Sequence, residues 1–97
     1  MRAILFRVAA ARDVEEAFLW YQRQRPGLGD EFLAAVERTV QLVADNPEAF
    51  PIVHRDARRA LLSRFPYGLL YRLAPEYVIV VGCFHAKRNP KSWRSRR

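Results

Sequence analysis

The chain has little material for covalent or metal cross-links, because its 97 residues include one cysteine, Cys83, and two histidines, His54 and His85. One cysteine excludes an intramolecular disulfide and a cysteine-rich zinc site. Other metal sites need several ligands at compatible spacings, which two isolated histidines do not supply. We therefore predict no metal and no cofactor, in a protein suited to the reducing cytoplasm.

Long apolar runs are also missing. A membrane-spanning helix needs roughly 20 predominantly apolar residues, and no segment approaches that length. Arg7 interrupts the first apolar run after Phe6, so we interpret the N-terminus as mature protein rather than a signal peptide. The four glycines are scattered and form no phosphate-binding loop. We expect no membrane association.

Acidic residues are scarce in the second half of the chain. Residues 57–97 carry ten Lys or Arg and one acid, Glu76, whereas residues 1–56 carry seven Arg and nine acids. Fifteen of the seventeen basic residues are Arg, which binds phosphate or carboxylate through paired hydrogen bonds. This asymmetry favours an acidic or polyanionic partner for the second half; a solubilising surface is the alternative.

The first half has the pattern of a strand followed by two helices. Residues 3–8 are a strand candidate. Residues 14–24 have one apolar helical face, and Asp13 and Glu16 have the spacing of a capping box at its start. Pro26-Gly27 ends this helix, and a second helix is predicted over residues 30–45. The two form an antiparallel helical hairpin.

The second half has the pattern of an antiparallel sheet. A loop over residues 46–56 precedes three strand-like runs, 58–65, 67–73 and 77–85, whose short connections require hairpins. The prediction is an α+β fold: an N-terminal strand, a two-helix hairpin and a three-stranded meander in one sheet, with the helices on one face. We expect one domain over residues 1–97, with a basic tail over about 86–97.

Metal-free RNA cleavage is the catalytic chemistry that these residues could supply. It needs an acid, a base and cations that stabilise the phosphate transition state. His85 is the candidate acid or base, with Arg72 and Arg88 as clamps; the alternative is a strand-end histidine covered by the tail. Trp93 is a candidate either to stack on a base or to anchor the tail on the sheet.

Several segments together resemble the ParE/RelE superfamily of type II toxins. They are QRPGLGDEFL (24–33), NPEAFP (46–51), RRALLSRFPYGLLYRL (58–73) and VIVVGCFHAKRNPKSW (78–93), in the family's order. The combination of FPYxxxYR with HxxRxPxxW is similar to the ParE-like side.

This resemblance implies a small toxin that a cognate antitoxin neutralises. ParE-like members inhibit DNA gyrase, whereas RelE-like members cleave mRNA on the ribosome; a degenerate toxin that only binds antitoxin is a third possibility. Where the nucleases carry an arginine that contacts the scissile phosphate, this chain has Gly68. The resemblance therefore favours gyrase inhibition, with direct nucleic-acid contact secondary.

The resemblance also implies two contact surfaces. A ParD-like antitoxin with an acidic C-terminal segment is expected on the helices and sheet, with candidates Phe18, Leu19, Trp20 and Arg72. The candidates for contact with the target come from the basic meander and tail: Arg58, Arg59, Arg64, Lys87, Arg88, Trp93, Arg94, Arg96 and Arg97.

Overall fold

The computed structural model describes residues 2–97 and has helices and strands in the predicted order. The elements are β1 (Ala3–Phe6), α1 (Val8–Gln24), α2 (Leu28–Asp45), β2 (Ile52–His54), β3 (Ala57–Leu61), β4 (Tyr67–Leu73), β5 (Tyr77–His85) and a short 3-10 helix (Pro90–Ser92). The α+β class and the two helices are confirmed. Within residues 2–97, neither helix has the length and apolar character needed to cross a membrane.

The sheet has more strands than predicted. Its five strands lie in the order β1-β5-β4-β3-β2, and the pairings among β2 to β5 are antiparallel. The description of a three-stranded meander is therefore incomplete, because β2 adds a further strand from the predicted loop. Three residues flanked by Pro51 are too few to show a strand pattern.

The first strand pairs in parallel with β5, which makes the sheet mixed. Phe6 is opposite Val80 at the end of this pairing. The helical hairpin between β1 and the meander covers one face of the sheet, which is how a chain commonly returns to a parallel neighbour. Sequence patterning alone gave no direction for this pairing.

Helix α1 begins at Val8, well before the predicted start, and the predicted capping box is wrong. Its N-cap is Arg7, which makes no side-chain cap hydrogen bond. Ala9 to Ala11 are strong helix formers and extend the helix toward β1. Asp13 therefore lies inside the helix, and its carboxylate is used elsewhere.

The main core lies between the helices and the sheet. The apolar face predicted for the first helix lies against it, because Ala17 and Tyr21 of α1 are buried. Phe32 and Val36 of α2 are buried there as well. Tyr21 and Phe32 pack with Phe65 and Tyr67 as an aromatic group, with ring centroids 5.0–6.0 Å apart. Each buried large side chain contributes about 1.5–3 kcal/mol, so this group stabilises the contact between hairpin and sheet.

A smaller core lies on the opposite face of the sheet. Leu70, Val81 and Phe84 pack there with Trp93, whose exposed fraction is only 9%. Of the two roles proposed for Trp93, the structure therefore has the anchor, because the buried indole holds the tail on the sheet.

An irregularity in β5 allows the strand to serve both cores. Leu70 is opposite Gly82 and Tyr71 is opposite Val80, so Val81 is an extra residue. Such a bulge changes the alternation of side chains. As a result Val80 and Cys83 face the helices, whereas Val81 and Phe84 face the tail.

Replacement of Gly82 by alanine is expected to destabilise the fold. A Cβ at this position would overlap the ring of Phe84, which is packed under Arg96. Forced repacking of this kind costs about 1–3 kcal/mol. Urea denaturation of Gly82→Ala measures this loss.

Gly68→Ala is the matched control for this measurement. Its Cβ would lie 3.1 Å from Arg59 Cγ and Leu61 Cδ2, in side chains that can shift. A loss of stability as large as that of Gly82→Ala would contradict the role given to the Phe84 contact.

Candidate functional site

The open edge of β5 is closed by an ion pair instead of a strand. Residues after Val80 extend beyond β1, which leaves Val81 and Cys83 without a neighbouring strand on the β1 side of β5. Asp13 Oδ2 accepts a hydrogen bond from the Cys83 N–H at 3.0 Å. Arg96 Nη1 donates to the Val81 carbonyl at 2.9 Å, so both backbone groups are satisfied.

Asp13 and Arg96 also bind each other. Arg96 donates to both carboxylate oxygens of Asp13, at 2.9 and 3.2 Å. Its guanidinium lies 4.8 Å from the centre of the Phe84 ring, an arrangement typical of a cation–π contact. We call these contacts the Asp13–Arg96 clasp. They join α1, β5 and the tail, so Arg96 has a structural role that its assignment as a target contact did not anticipate.

Cys83 lies under the clasp and faces the main core. Burial, and secondarily the charge of Asp13, raise the pKa of its thiol to about 12. A thiol with such a pKa stays protonated at neutral pH and is a poor nucleophile.

A cleft lies where the β2–β3 turn meets the tail. It has a volume of about 450 Å³. Its lining consists of His54, Arg55, Asp56, Ala57, Arg72, Arg94, Ser95, Arg96 and Arg97. We call this the arginine cleft, because five of these nine residues are arginines.

Arg72 is held on the wall of the arginine cleft by Asp56. Its Nε and Nη2 donate to the two carboxylate oxygens of Asp56, each at 3.0 Å. These hydrogen bonds hold the pKa of the Asp56 carboxyl below its usual value. Both side chains remain substantially exposed, so the pair is open to competition by other anions.

A second pocket, of about 190 Å³, lies between α1 and the end of β5. Its lining includes Glu16, Trp20, Tyr67, His85 and Arg88. The ring of His85 lies 5.3 Å from that of Tyr67, and its Nδ1 accepts a hydrogen bond from the Lys87 N–H at 3.1 Å.

The three residues proposed for RNA cleavage are not brought together. His85 and Arg88 line the α1–β5 pocket, whereas Arg72 lines the arginine cleft. Glu16 and Tyr67, which sequence reasoning did not select, are the additional polar groups beside His85. For Glu16, the one signal in the sequence is its position four residues before Trp20, which places the two side chains on the same face of a helix.

The basic target candidates of the meander are used in different ways. Arg58 donates to the carbonyls of Glu48 and Phe50, and Arg64 pairs with Glu31 at 2.8 Å. The stem of Arg59 lies over Gly68, and its Nε is buried without a hydrogen-bond partner among residues 2–97. Arg64 is nevertheless exposed, and the other exposed candidates lie after β5: Lys87, Arg88, Arg94 and Arg97.

Two of the antitoxin candidates lie on an exposed surface of the helical hairpin. Leu19 and Trp20 have exposed fractions of 45% and 49%. Phe18 is half-buried against the main core, so it supports this surface more than it forms it. Among residues 2–97, no group of three or more His, Cys, Asp or Glu side chains is placed to hold a metal ion.

Comparison with known proteins identifies a family, and solved structures have a similar fold. The family described as "ParE toxin of type II toxin-antitoxin system, parDE" matches residues 4–90. The fold is similar to a structure titled "Chromosomal ParDE TA system from P. aeruginosa", with a TM-score of 0.67 and 18% identity over 88% of this chain and 96% of that one. No curated protein sequence matches at a significant level.

Asp13→Asn is expected to destabilise the fold, because it removes the charge that holds Arg96 on the edge of β5. Loss of a hydrogen-bonded, partly buried ion pair of this kind costs about 1–3 kcal/mol. Urea denaturation measures the loss, and the near-ultraviolet circular dichroism, to which Trp93 contributes, reports whether the tail stays packed.

Asp56→Asn provides the matched control, since it removes the same charge from an exposed pair. We expect a much smaller change in the free energy of unfolding there. Equal losses in the two variants would contradict the structural role of the clasp.

Proposed function

Because the chain belongs to the family of ParE toxins of type II toxin–antitoxin systems, we propose that it acts by binding and inhibiting DNA gyrase. A cognate ParD-like antitoxin neutralises it. The observation that carries this proposal is the family match over residues 4–90. Gyrase inhibition is the general role of that family, and the proposal places the protein in the cytoplasm.

The arrangement of the polar side chains supports a binding inhibitor over a nuclease. Arg72 is paired with Asp56 in a different cleft from His85 and Arg88. Gly68 supplies no side chain where the nucleases have an arginine, and the stem of Arg59 occupies the space above it. A cation that stabilises a phosphate transition state must lie within hydrogen-bond reach of it, and Arg72 lines a different cleft from the one that holds His85.

A ribonuclease is nevertheless the second candidate, because the α1–β5 pocket gathers parts that such an enzyme uses. His85 is an imidazole that could act as an acid or a base, Arg88 is a cation, and Trp20 and Tyr67 are aromatic rings able to stack on a base. A degenerate toxin is the remaining alternative, and it would bind antitoxin without arresting growth.

The candidates for contact with gyrase differ in whether their side chains already make contacts within the fold. Trp93 and Arg96 are held in the tail anchor and the clasp, and Arg58 donates to backbone carbonyls of the fold. Arg64 is exposed but pairs with Glu31. We propose that the exposed basic residues after β5 provide the contact. They are Lys87, Arg88, Arg94 and Arg97.

For the contact with antitoxin, we propose the exposed end of α1 and the positive surface of the sheet. Leu19 and Trp20 give a partner helix apolar anchors beside each other on the hairpin. An acidic segment would be drawn to the second half of the chain, which carries ten basic residues and one acid. Such attraction speeds association at low ionic strength.

The gyrase proposal predicts loss of DNA supercoiling when this chain is added to the purified enzyme, and recovery when antitoxin is added. His85→Ala is expected to retain full inhibition, because no acid or base step is involved. The double variant Arg94→Gln, Arg97→Gln should weaken inhibition, whereas Arg12→Gln, Arg38→Gln has the same charge change on exposed helix positions and should not.

The same set of variants separates the alternatives. Unchanged supercoiling, together with mRNA cleavage on ribosomes that His85→Ala abolishes, would replace the gyrase proposal by the nuclease. Neither activity, with antitoxin binding intact, would identify a degenerate toxin.

The antitoxin proposal predicts that Trp20→Ala weakens antitoxin binding. Aromatic anchors at the centre of an interface are worth about 2 kcal/mol or more, which corresponds to roughly a 30-fold rise in Kd. Isothermal titration measures it, with Leu42→Ala as a control of similar exposure on α2. An equal effect of the two variants would move the interface from the end of α1 to the whole hairpin.

A further inference from the structure

The arginine cleft is assembled from three distant segments of the chain. Arg55 comes from the turn between β2 and β3, Arg72 from β4, and Arg94, Arg96 and Arg97 from the tail. The tail is held in this position by the buried indole of Trp93 and by the clasp. The ring of His54 lies 6.3 Å from that of Trp93 and connects the turn to the tail. The cleft is therefore a fixed feature of the fold.

The charges in the cleft are not balanced. Its lining contains five arginines and one acid, Asp56. Asp56 is paired with Arg72, and Arg96 is paired with Asp13 outside the lining. Within residues 2–97, the side chains of Arg55 and Arg94 make neither an ion pair nor a hydrogen bond. At least two guanidinium groups are therefore available to an anion from solution.

The turn that carries Arg55 has an uncommon backbone. Arg55 has a φ of 54°, in the left-handed region that few residues other than glycine occupy. Local strain of this kind tends to occur at sites where a side chain must be held in a particular place. In this chain the residue with the left-handed backbone, Arg55, has a side chain that lines the arginine cleft.

The lining also indicates the kind of occupant. Apart from Ala57, every lining residue is polar or charged, so a peptide would find no apolar pocket for its side chains. The volume of about 450 Å³ lies within the range of small-molecule sites, roughly 300–1,000 Å³. Arginine forks match the oxygens of phosphate groups through paired hydrogen bonds.

We propose that the arginine cleft is a binding site for a small ligand with two or more adjacent phosphate groups, such as a nucleoside diphosphate. Arg55 and Arg94 contact the phosphates directly. Arg72 joins them when a phosphate oxygen displaces Asp56, so that Asp56 is a built-in competitor of the ligand. The site shares Arg94 with the proposed contact with gyrase, whereas Arg55 and Asp56 belong to the cleft alone.

The test is a titration of the full chain with inorganic diphosphate at about 0.15 M salt, where weak surface attraction is screened. Calorimetry measures the affinity, and amide NMR shifts locate the site. We expect saturable binding of one diphosphate, with shifts at residues 54–57, 72 and 94–96. ADP and citrate are titrated in parallel, and binding of both phosphate ligands more tightly than citrate is expected.

Four variants test the assignment of residues. Arg55→Gln and Arg94→Gln should each weaken diphosphate about tenfold, the usual effect of one lost charge-assisted hydrogen bond. Asp56→Asn should strengthen it several-fold, because the competitor for Arg72 is removed. Arg38→Gln makes the same charge change on an exposed position of α2 and should leave the affinity unchanged. All four positions are exposed, and circular dichroism checks that each variant is folded.

Three outcomes would overturn the proposal. They are binding that does not saturate, an effect of Arg38→Gln equal to that of Arg55→Gln, and citrate binding as tight as diphosphate. Between the two phosphate ligands, tighter binding of ADP would show that the nucleoside is also contacted, and equal binding would restrict recognition to the phosphates. Gyrase inhibition is measured separately on Arg55→Gln, so that either proposal can fail alone.

Discussion

The fold depends on the mismatch between a four-residue strand and the nine-residue strand beside it. β1 covers only the first part of β5, and the remainder of that edge would carry bare backbone groups in a partly buried position. The Asp13–Arg96 clasp replaces the missing strand with a carboxylate that accepts and a guanidinium that donates. Because its two members come from α1 and from the tail, the same contact fixes both of these elements against the sheet.

The position of the tail then determines what the second face of the sheet can do. Trp93 and Phe84 form a small apolar core there, and the bulge in β5 directs the side chains of Val81 and Phe84 toward it. The arginines after Trp93 consequently lie against the β2–β3 turn instead of extending into solvent. The basic tail, for which the sequence predicts no helix or strand, therefore forms one wall of the arginine cleft.

Sequence reasoning found what is local and missed what joins distant positions. The two helices and the three longer antiparallel strands could be predicted, because the spacing of apolar residues along a short segment indicates which of its faces is buried. β2 was missed because three residues carry too little pattern. Asp13 was assigned to a capping box because its actual partners, Cys83 and Arg96, lie 70 and 83 positions away. The three candidates for RNA cleavage were selected by residue type alone. The pairing of β4 with β5 places Arg72 opposite Ile79, away from His85.

Because Asp13 and Arg96 are 83 positions apart, the clasp can form only at the end of synthesis. A ribosome must release residue 96 before the carboxylate of Asp13 can meet its partner, although β5 and both helices are complete earlier. Until then the nascent chain carries an open strand edge, and such edges readily pair with other extended segments. Closing a loop of this length is also slow compared with forming local contacts. The last step of folding therefore leaves an interval in which the emerging polypeptide is most exposed to mispairing and to capture by another chain.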